Sequence, residues 1–376
     1  MPSTRSSSRK LKQSDSPKFK WAADTELVGL TLKLQPTQDF TVLPQYTTEL
    51  HSWWLDQVRR MDHALSSYLH DGQSEKPFTI SQLHGSIQSQ GRSLHLAANQ
   101  TYQWTVTVLS KPVVEWLANW LITPPTNLHL RSGSFTIIDW SVALPPTTYT
   151  QLLPTSLPEQ PTITLSFLTP TSFRRKGNHL PLPIPMNVFQ SYLRRWNDFS
   201  SEAIDQEDFL DWVDEFVMIL RHQIQTSKVM AGKRGAVTGF IGSIQFGLSA
   251  KAKQDESYTE LWLALGQLAP YCGTGHNTTF GLGQTTLGWL DQTETLVSPA
   301  SIQDLLAQRV AELTERFIAQ RKRTGGDRAT TTAQTWATIL ARRDLGESLQ
   351  DIAQDLEMPY ETVKTYAKLA RRALNR

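Results

Sequence analysis

Over residues 26–35 the chain alternates, with Leu27, Val28, Leu30, Leu32 and Leu34 as its apolar positions and Pro36 closing the run. Period-two spacing stopped by a proline predicts a half-buried strand. The spacing then becomes helical: Leu50, Trp54, Val58, Met61, Leu65 and Tyr68 recur every three or four residues as far as Gly72. One apolar stripe of this kind predicts a helix lying on a core, with Thr47 or Thr48 as N-cap and Glu49 in the first turn. Extended segments around residues 78–83 and 102–109, a short helix from Pro112 through Trp120 and a strand over 133–142 complete the order β-α-β-β-α-β. That order predicts a ferredoxin-like lobe, a four-stranded sheet with both helices on one face.

The rhythm repeats after a proline-rich connector at residues 145–161. A strand at 162–168, helices at 187–197 and 207–225, a strand at 237–249, a helix at 258–268 and a strand at 284–289 give a second such lobe. The fold class expected is therefore α+β: two tandem ferredoxin-like (RRM-like) lobes, over 21–150 and 151–295, followed by helices. A charged amphipathic linker helix occupies 296–325 and is broken at Thr324-Gly-Gly-Asp-Arg328.

Residues 326–376 read as an all-α module. Ser348 caps a helix that turns Ile352, Ala353 and Leu356 inward, Glu357-Met-Pro359 makes a turn, and Val363, Ala367 and Ala370 stripe a second helix. This helix-turn-helix pattern resembles the fourth region of bacterial sigma factors. In such modules the second helix enters the major groove, and here it would present Glu361, Thr362, Lys364, Thr365 and Lys368. The same bundle can equally serve protein contact or RNA support.

Composition narrows the classes. At 376 residues the chain can bury more than one core, and its single cysteine, Cys272, cannot form an internal bridge. Without a charged-then-apolar leader or a long apolar span, the expectation is a soluble, cytoplasmic protein with no membrane partner. The net charge of +2 conceals segregation. Residues 1–20 form a basic, Ser-rich stretch expected to be a disordered tail. Residues 160–197 and 216–254 contain no Asp or Glu, while the segment between them is acidic. Such sorting suits a phosphate-binding surface; two ordinary solvated faces would read the same way.

Candidate chemistry starts with the glycines at 273, 275, 281 and 283, between a helix and a strand. Gly273, Gly275, Gly281 and Gly283 would let the backbone approach a ligand and expose amide donors, for which phosphate is the natural guest. A glycine-rich turn at a tight seam is the other reading of the same spacing. The run is neither a P-loop nor a dinucleotide fingerprint, since no Gly-Lys-Ser/Thr follows and the glycines precede a strand.

The segment Ala269-Pro-Tyr-Cys-Gly-Thr-Gly-His-Asn-Thr-Thr-Phe-Gly-Leu-Gly-Gln284 resembles the C-terminal glycine-rich loop of the CRISPR repeat-cleaving endoribonucleases, in the repeat-associated mysterious protein (RAMP) superfamily. Leu168-Thr-Pro-Thr-Ser-Phe-Arg-Arg-Lys176, Leu182-Pro-Ile-Pro185, Leu193-Arg-Arg-Trp-Asn197 and Phe240-Ile-Gly-Ser-Ile-Gln-Phe246 are similar to that family's central region. Leu69-His-Asp-Gly72 with Lys76-Pro-Phe-Thr-Ile-Ser81 is similar to its stretch after the first helix. Many members carry a Lys or Arg within the loop, where this chain has His276 and Asn277.

The resemblance implies a repeat RNA hairpin bound across both lobes, retention of the guide RNA, and work beside other CRISPR effector subunits. It also implies metal-independent chemistry with no cofactor: a ribose 2′-hydroxyl attacks the adjacent phosphate, leaving a 2′,3′-cyclic phosphate and a 5′-hydroxyl. Such a step needs a base, a proton for the leaving oxygen and positive charge near the phosphorus. No clustered Cys/His or Asp/Glu spacing of a zinc or two-metal site is visible in the sequence.

His51, in the first helix at the edge of the apolar stripe, is the leading catalytic candidate, and His276 in the glycine loop is the second. Family members often keep a catalytic histidine on this helix, some with a Tyr and a Lys; the neighbours here are Gln57, Arg59 and Arg60. For RNA contact the candidates are Arg174, Arg175 and Lys176, then Lys233 and Arg234 between Gly232 and Gly235. His70 reads as a helix-end cap, Cys272 as packing, and Trp54, Trp116 and Trp262 as core. A non-catalytic RNA-binding subunit and a DNA-binding regulator remain as alternatives to the nuclease.

Overall fold

Strand β1 (Leu27–Pro36) does what its alternation predicts, burying Leu30, Leu32 and Leu34 while Lys33 stays exposed. The structure, a computed structural model, describes residues 21–70, 75–90, 93–176, 178–230, 236–290, 302–319, 327–344 and 347–374. The basic stretch 1–20, Lys233 and Arg234 lie outside the described residues.

In the first lobe β1 is followed by β2 (Phe40–Val42), α1 (Thr47–Met61), α2 (His63–His70), β3 (Phe78–Ile80), β4 (Gln88–Gln90), β5 (Ser93–Leu96), β6 (Tyr102–Val108), α3 (Lys111–Trp120), β7 (Asn127–His129) and β8 (Ser134–Thr147). The main sheet is antiparallel in the order β3-β6-β1-β8-β7, and β2, β5 and β4 make a small second sheet. Helices α1 and α3 cover one face with an indole cluster in which Trp54 meets Trp116 edge-on at 5.0 Å. The opposite face carries hydroxyls: Thr31 pairs with Thr105 at 2.7 Å and Thr79 with Thr107 at 2.6 Å.

The single helix expected from Thr47 to Gly72 is two. Asp62 leaves the helical region at φ −145°, and its carboxylate accepts the Leu65 N–H at 2.8 Å, capping α2. The break rotates the second piece, so Leu65 and Leu69 are buried whereas Met61 and Tyr68 are exposed. Nor is a threonine the N-cap. Tyr46 takes that place without a side-chain cap, and the Thr48 hydroxyl donates to the Gln45 carbonyl.

The second lobe contains β9 (Thr162–Thr171), β10 (Phe173–Arg175), β11 (Asn178–Leu180), α4 (Pro185–Phe199), α5 (Gln206–Phe216), β12 (Val217–Met230), β13 (Ala236–Leu248), α6 (Glu256–Cys272) and β14 (Thr285–Leu287). Its sheet runs β12-β13-β9-β14, the same succession as β3-β6-β1-β8 in the first lobe. The expected helix over 207–225 is a helix only to Phe216. Asp205 caps its start by accepting from Glu207 and Asp208 N–H, and from Val217 onward the β-branched run Val217, Ile219, Ile224 and Thr226 pairs with β13 instead. A long-range ladder outweighs the local apolar spacing there.

The lobes meet around α6 and the loop after it. Tyr271 donates to Pro145 O at 2.8 Å, the Thr107 hydroxyl donates to Tyr271 O, and Leu27 and Leu109 belong to the second lobe's core. A cavity of about 330 Å³ remains between the hydroxyl-bearing face and the loop, lined by Thr79, Thr105, Thr107, Leu282, Gln284 and Thr285 among others.

After these come α7 (Ile302–Ala319), α8 (Asp327–Asp344), α9 (Leu349–Asp355) and α10 (Tyr360–Leu374). Leu313 and Phe317 of α7 share a core with Ala337 and Leu340 of α8 and Ala370 of α10. Ile339, Ile352, Val363 and Ala367 form a second small core, and the Ser348 hydroxyl accepts the Asp351 N–H as the sequence predicts. No helix among the described residues is long and apolar enough to cross a membrane.

Candidate nuclease site at the lobe seam

Helix α1 carries His51 at its fifth position, flanked by the buried anchors Leu50 and Trp54. Those anchors fix the helix on the sheet, so His51 emerges at its flank toward the second lobe. The partner is the glycine-rich loop. His51 Nδ1 lies 2.9 Å from the Thr279 carbonyl, and its ring stacks on Phe280 at 4.5 Å and lies 5.7 Å from Phe78.

The loop reaches α1 because of its backbone. Asn277 (φ 66°) and Gly281 (φ 78°) are both left-handed and bracket the short turn Thr278–Phe280. A Cβ on Gly281 would come within 2.8 Å of Gln82 Cγ and 3.1 Å of Thr47 Cγ2, so only glycine allows this approach to the first lobe.

A carbonyl can only accept, so His51 Nδ1 bears the proton and Nε2 presents a lone pair. Burial lowers its pKa to about 4 despite the opposing Thr279 hydrogen bond, and the charges of His70 and Lys76 lower it further. The ring is therefore neutral at pH 7. Among the described residues Nε2 has no hydrogen-bond partner, and it is not among the sealed polar atoms. This is the equipment of a general base.

His276 is built differently. Its Nδ1 faces the Ser172 carbonyl at 2.9 Å and its ring stacks on His179 at 4.9 Å, while Nε2 is buried with no hydrogen-bond partner. Burial lowers its pKa against the Ser172 hydrogen bond, and His179 and Arg174 add to the lowering.

The expectation that the glycines offer amides to phosphate is corrected for Gly273, Gly275 and Gly283. All four glycines are buried. Gly273 N–H donates to Ala269 O, Gly275 N–H to Ser191 Oγ and Gly283 N–H to Pro170 O. These glycines are needed for close packing: a Cβ on Gly275 would sit 2.3 Å from Ser172 O, and one on Gly283 2.0 Å from Thr274 O.

Arg195 of α4 locks the loop. It is 3% exposed, and its guanidinium donates to Ser191 O at 2.8 Å, Ser191 Oγ at 2.7 Å and Gly275 O at 2.9 Å. Glu75 of the first lobe lies 3.5 Å from Arg195 and 2.8 Å from Arg194, while its own N–H donates to Asp198 at 2.9 Å. These groups border a cleft of about 780 Å³ whose walls include Lys76, Arg174, Arg194, His276, Asn277 and Thr279. It is open, polar and predominantly cationic.

The structure thus gathers His51, His276, the glycine loop and Arg174 at one seam. Arg174 sits on the β10–β11 hairpin, whose tip exposes Arg175 and Lys176, the latter at φ 49°. Arg59 and Arg60, helix neighbours of His51, pair instead with Asp56 at 2.8 and 2.7 Å. Sequence reasoning gave no role to Lys76, Glu75, Thr279 or Phe280, and used Arg194 and Arg195 only within a basic stretch and a family-like segment. The quoted segments contain most of them, but nothing in their spacing says that α4 meets a loop some 80 residues later. Cys272 is buried, with its thiol pushed up to about 12 by burial, and Trp54, Trp116 and Trp262 lie in the cores. Glu361, Thr362, Lys364, Thr365 and Lys368 belong to α10, outside this site. Among the described residues no three His, Cys, Asp or Glu side chains cluster as a metal site.

The family model of the CRISPR-associated endoribonuclease Cas6 matches residues 165–285, and that of the CRISPR Cas6 N-terminal domain matches residues 28–140, together well over half of the chain. The chain belongs to the Cas6 endoribonuclease family. A CRISPR-associated endoribonuclease Cas6 from Streptococcus thermophilus is 28% identical over 118 residues, 31% of this chain and 46% of that protein, so the match spans less than half of that relative's length. A Thermus thermophilus Cas6 product complex has a TM-score of 0.57 at 21% identity, covering 70% of this chain and 100% of its own. A second Cas6 product complex has a TM-score of 0.54 at 24% identity, covering 70% and 99%. At these identities the likeness is one of fold. Both Cas6 family matches end before α7.

Proposed function

We propose that this chain cleaves CRISPR precursor RNA within each repeat, without a metal, and keeps the hairpin of the product for other CRISPR effector subunits. The observation that carries the chemistry is His51, neutral, tautomerically fixed by Thr279 and joined through that residue to the loop that walls a cationic cleft. Both sheets have the strand succession of a ferredoxin-like unit, which supports reading the chain as two such lobes with the RNA laid across their seam.

In this reading His51 Nε2 takes the proton of the ribose 2′-hydroxyl as the 2′-oxygen bonds to phosphorus. The bond from phosphorus to the 5′-oxygen breaks, that oxygen receives a proton, and a 2′,3′-cyclic phosphate and a 5′-hydroxyl remain. Lys76, Arg174 and Arg194 on the cleft wall supply positive charge to the phosphorane-like transition state. Arg175 and Lys176 hold the RNA backbone beside it, and the glycines act by letting the loop close on α1. His276 serves as a positioning residue, since its free nitrogen is sealed.

The test is incubation of the full chain with its cognate repeat RNA in EDTA, followed by mapping of product ends. A cyclic phosphate with a 5′-hydroxyl is the expected result. Loss of cleavage in chelator overturns metal independence, and RNA binding without cleavage in either condition favours a non-catalytic binding subunit.

A further inference from the structure

Helices α7–α10 lie beyond both Cas6 family matches and have their own apolar cores, so the cleavage site gives no account of them. Helix α9 ends in a left-handed residue, Glu357 at φ 51°. Met358 N–H donates to Ala353 O at 2.9 Å and Glu357 N–H to Gln354 O at 3.2 Å, the paired bonds of a Schellman stop. Pro359 then starts α10, whose inward residues are Val363, Ala367 and Ala370. Two alanines in that stripe let α10 lie close over α8 and α9, with Tyr366, Ala373 and Leu374 partly buried beside it and the opposite side in solvent.

The exposed side is cationic. Lys364, Lys368, Arg371 and Arg372 are exposed, against Glu361 as the only acid of the helix. Lys364 contacts Glu361 at 3.3 Å, but Lys368, Arg371 and Arg372 have no ion pair among the described residues. A groove of about 320 Å³ is lined by Arg343, Leu349, Lys364, Lys368, Arg371 and Arg372, and no carboxylate lines it among the described residues. The acids nearby are held elsewhere: Arg342 contacts Glu347 at 2.5 Å and Asp355 at 2.6 Å. Tyr360 and Leu369 add exposed apolar surface to the same helix, at 44% and 38%.

We infer that this module binds duplex DNA by placing α10 in the major groove. A helix with one cation-rich, exposed face, following a short capped one, fits the wide major groove of B-form DNA, whereas the deep, narrow major groove of an RNA duplex does not admit it. Lys368, Arg371 and Arg372 contact phosphates, while Thr365, Lys364 and Leu369 face base edges, where a leucine can meet a thymine methyl.

The experiment uses the full chain with a randomised 25-base-pair DNA duplex pool, the same lengths as duplex RNA, and cognate repeat RNA. Selection is expected to enrich one DNA motif over the pool. The double variant K368E/R372E should weaken binding to that motif at least tenfold and lower the magnitude of its salt slope by about 2, leaving repeat-RNA cleavage unchanged. Absence of an enriched motif, tighter binding of duplex RNA, or unaltered DNA binding by the variant overturns the inference. Because cleavage is read on the same protein, its failure and the failure of DNA binding are separate results. A far-UV spectrum matching the parent confirms that the variant retains its helices.

Discussion

His51 meets the glycine loop and His276 belongs to it, yet the two follow nearly the same local rules. Each ring presents Nδ1 to a backbone carbonyl, each stacks on an aromatic ring, and burial lowers both pKa values. They differ at the other nitrogen: that of His276 is enclosed with no partner and that of His51 is not. Proton transfer requires a route for the proton as well as a neutral ring, so similar electrostatics are compatible with the different roles proposed for the two.

The largest effect expected is on His51→Ala, a loss of cleavage on the order of 10²–10⁴-fold in single-turnover kinetics with RNA affinity retained. Next comes Arg195→Ala. Deleting a buried guanidinium strands Gly275 O and Ser191 and leaves Glu75 without its inner partner, so unfolding should become easier by about 3 kcal/mol in a urea titration. Cleavage should fall with it, because the loop that orients His51 is released.

Arg174→Ala should weaken RNA binding by about tenfold and reduce the salt dependence by roughly one charge, measured as Kd against ionic strength. The pH profile sharpens the contrast further. If neutral His51 is the base, the acid limb of kcat/KM lies near pH 4, well below that of an ordinary histidine. The stability consequence has the same origin: a folded-state value below the unfolded one means that stability is fully present above about pH 6.5. It drains away as pH falls toward 4, because the unfolded chain binds the proton first. The smallest effect belongs to His276→Ala, a change in cleavage within about fivefold; a loss as large as that of His51→Ala would end the distinction drawn between them.

Strand β1 and the first turns of helix α1 follow from alternation and from helical spacing, which are local properties of Leu27–Leu34 or of Leu50, Trp54 and Val58. The errors arise where a specific pairing, distant or local, outweighs the apolar spacing. Val217–Met230 is a strand because β13 lies beside it, and Asp62 splits a helix through one carboxylate. His51 and the glycine loop were legible as separate signals. Their junction was not, since Thr279 lies 228 residues from His51 and Arg195 is recognisable as a loop clamp only once α4 is seen against Gly275. The glycines show how one spacing suits two physical roles, with exposed amides and close packing indistinguishable until the buried partners are known.

The single hydrogen bond from His51 to Thr279 makes one imidazole a gauge of lobe docking. While the seam is shut, burial by Phe280 and Phe78 keeps the ring near a pKa of 4. Any opening that admits water moves it toward the ordinary value of about 6.5. Exposure would thus turn a neutral ring into one half-charged near that pH. A ring-proton titration of His51 would therefore report on the intactness of this contact, independently of any turnover.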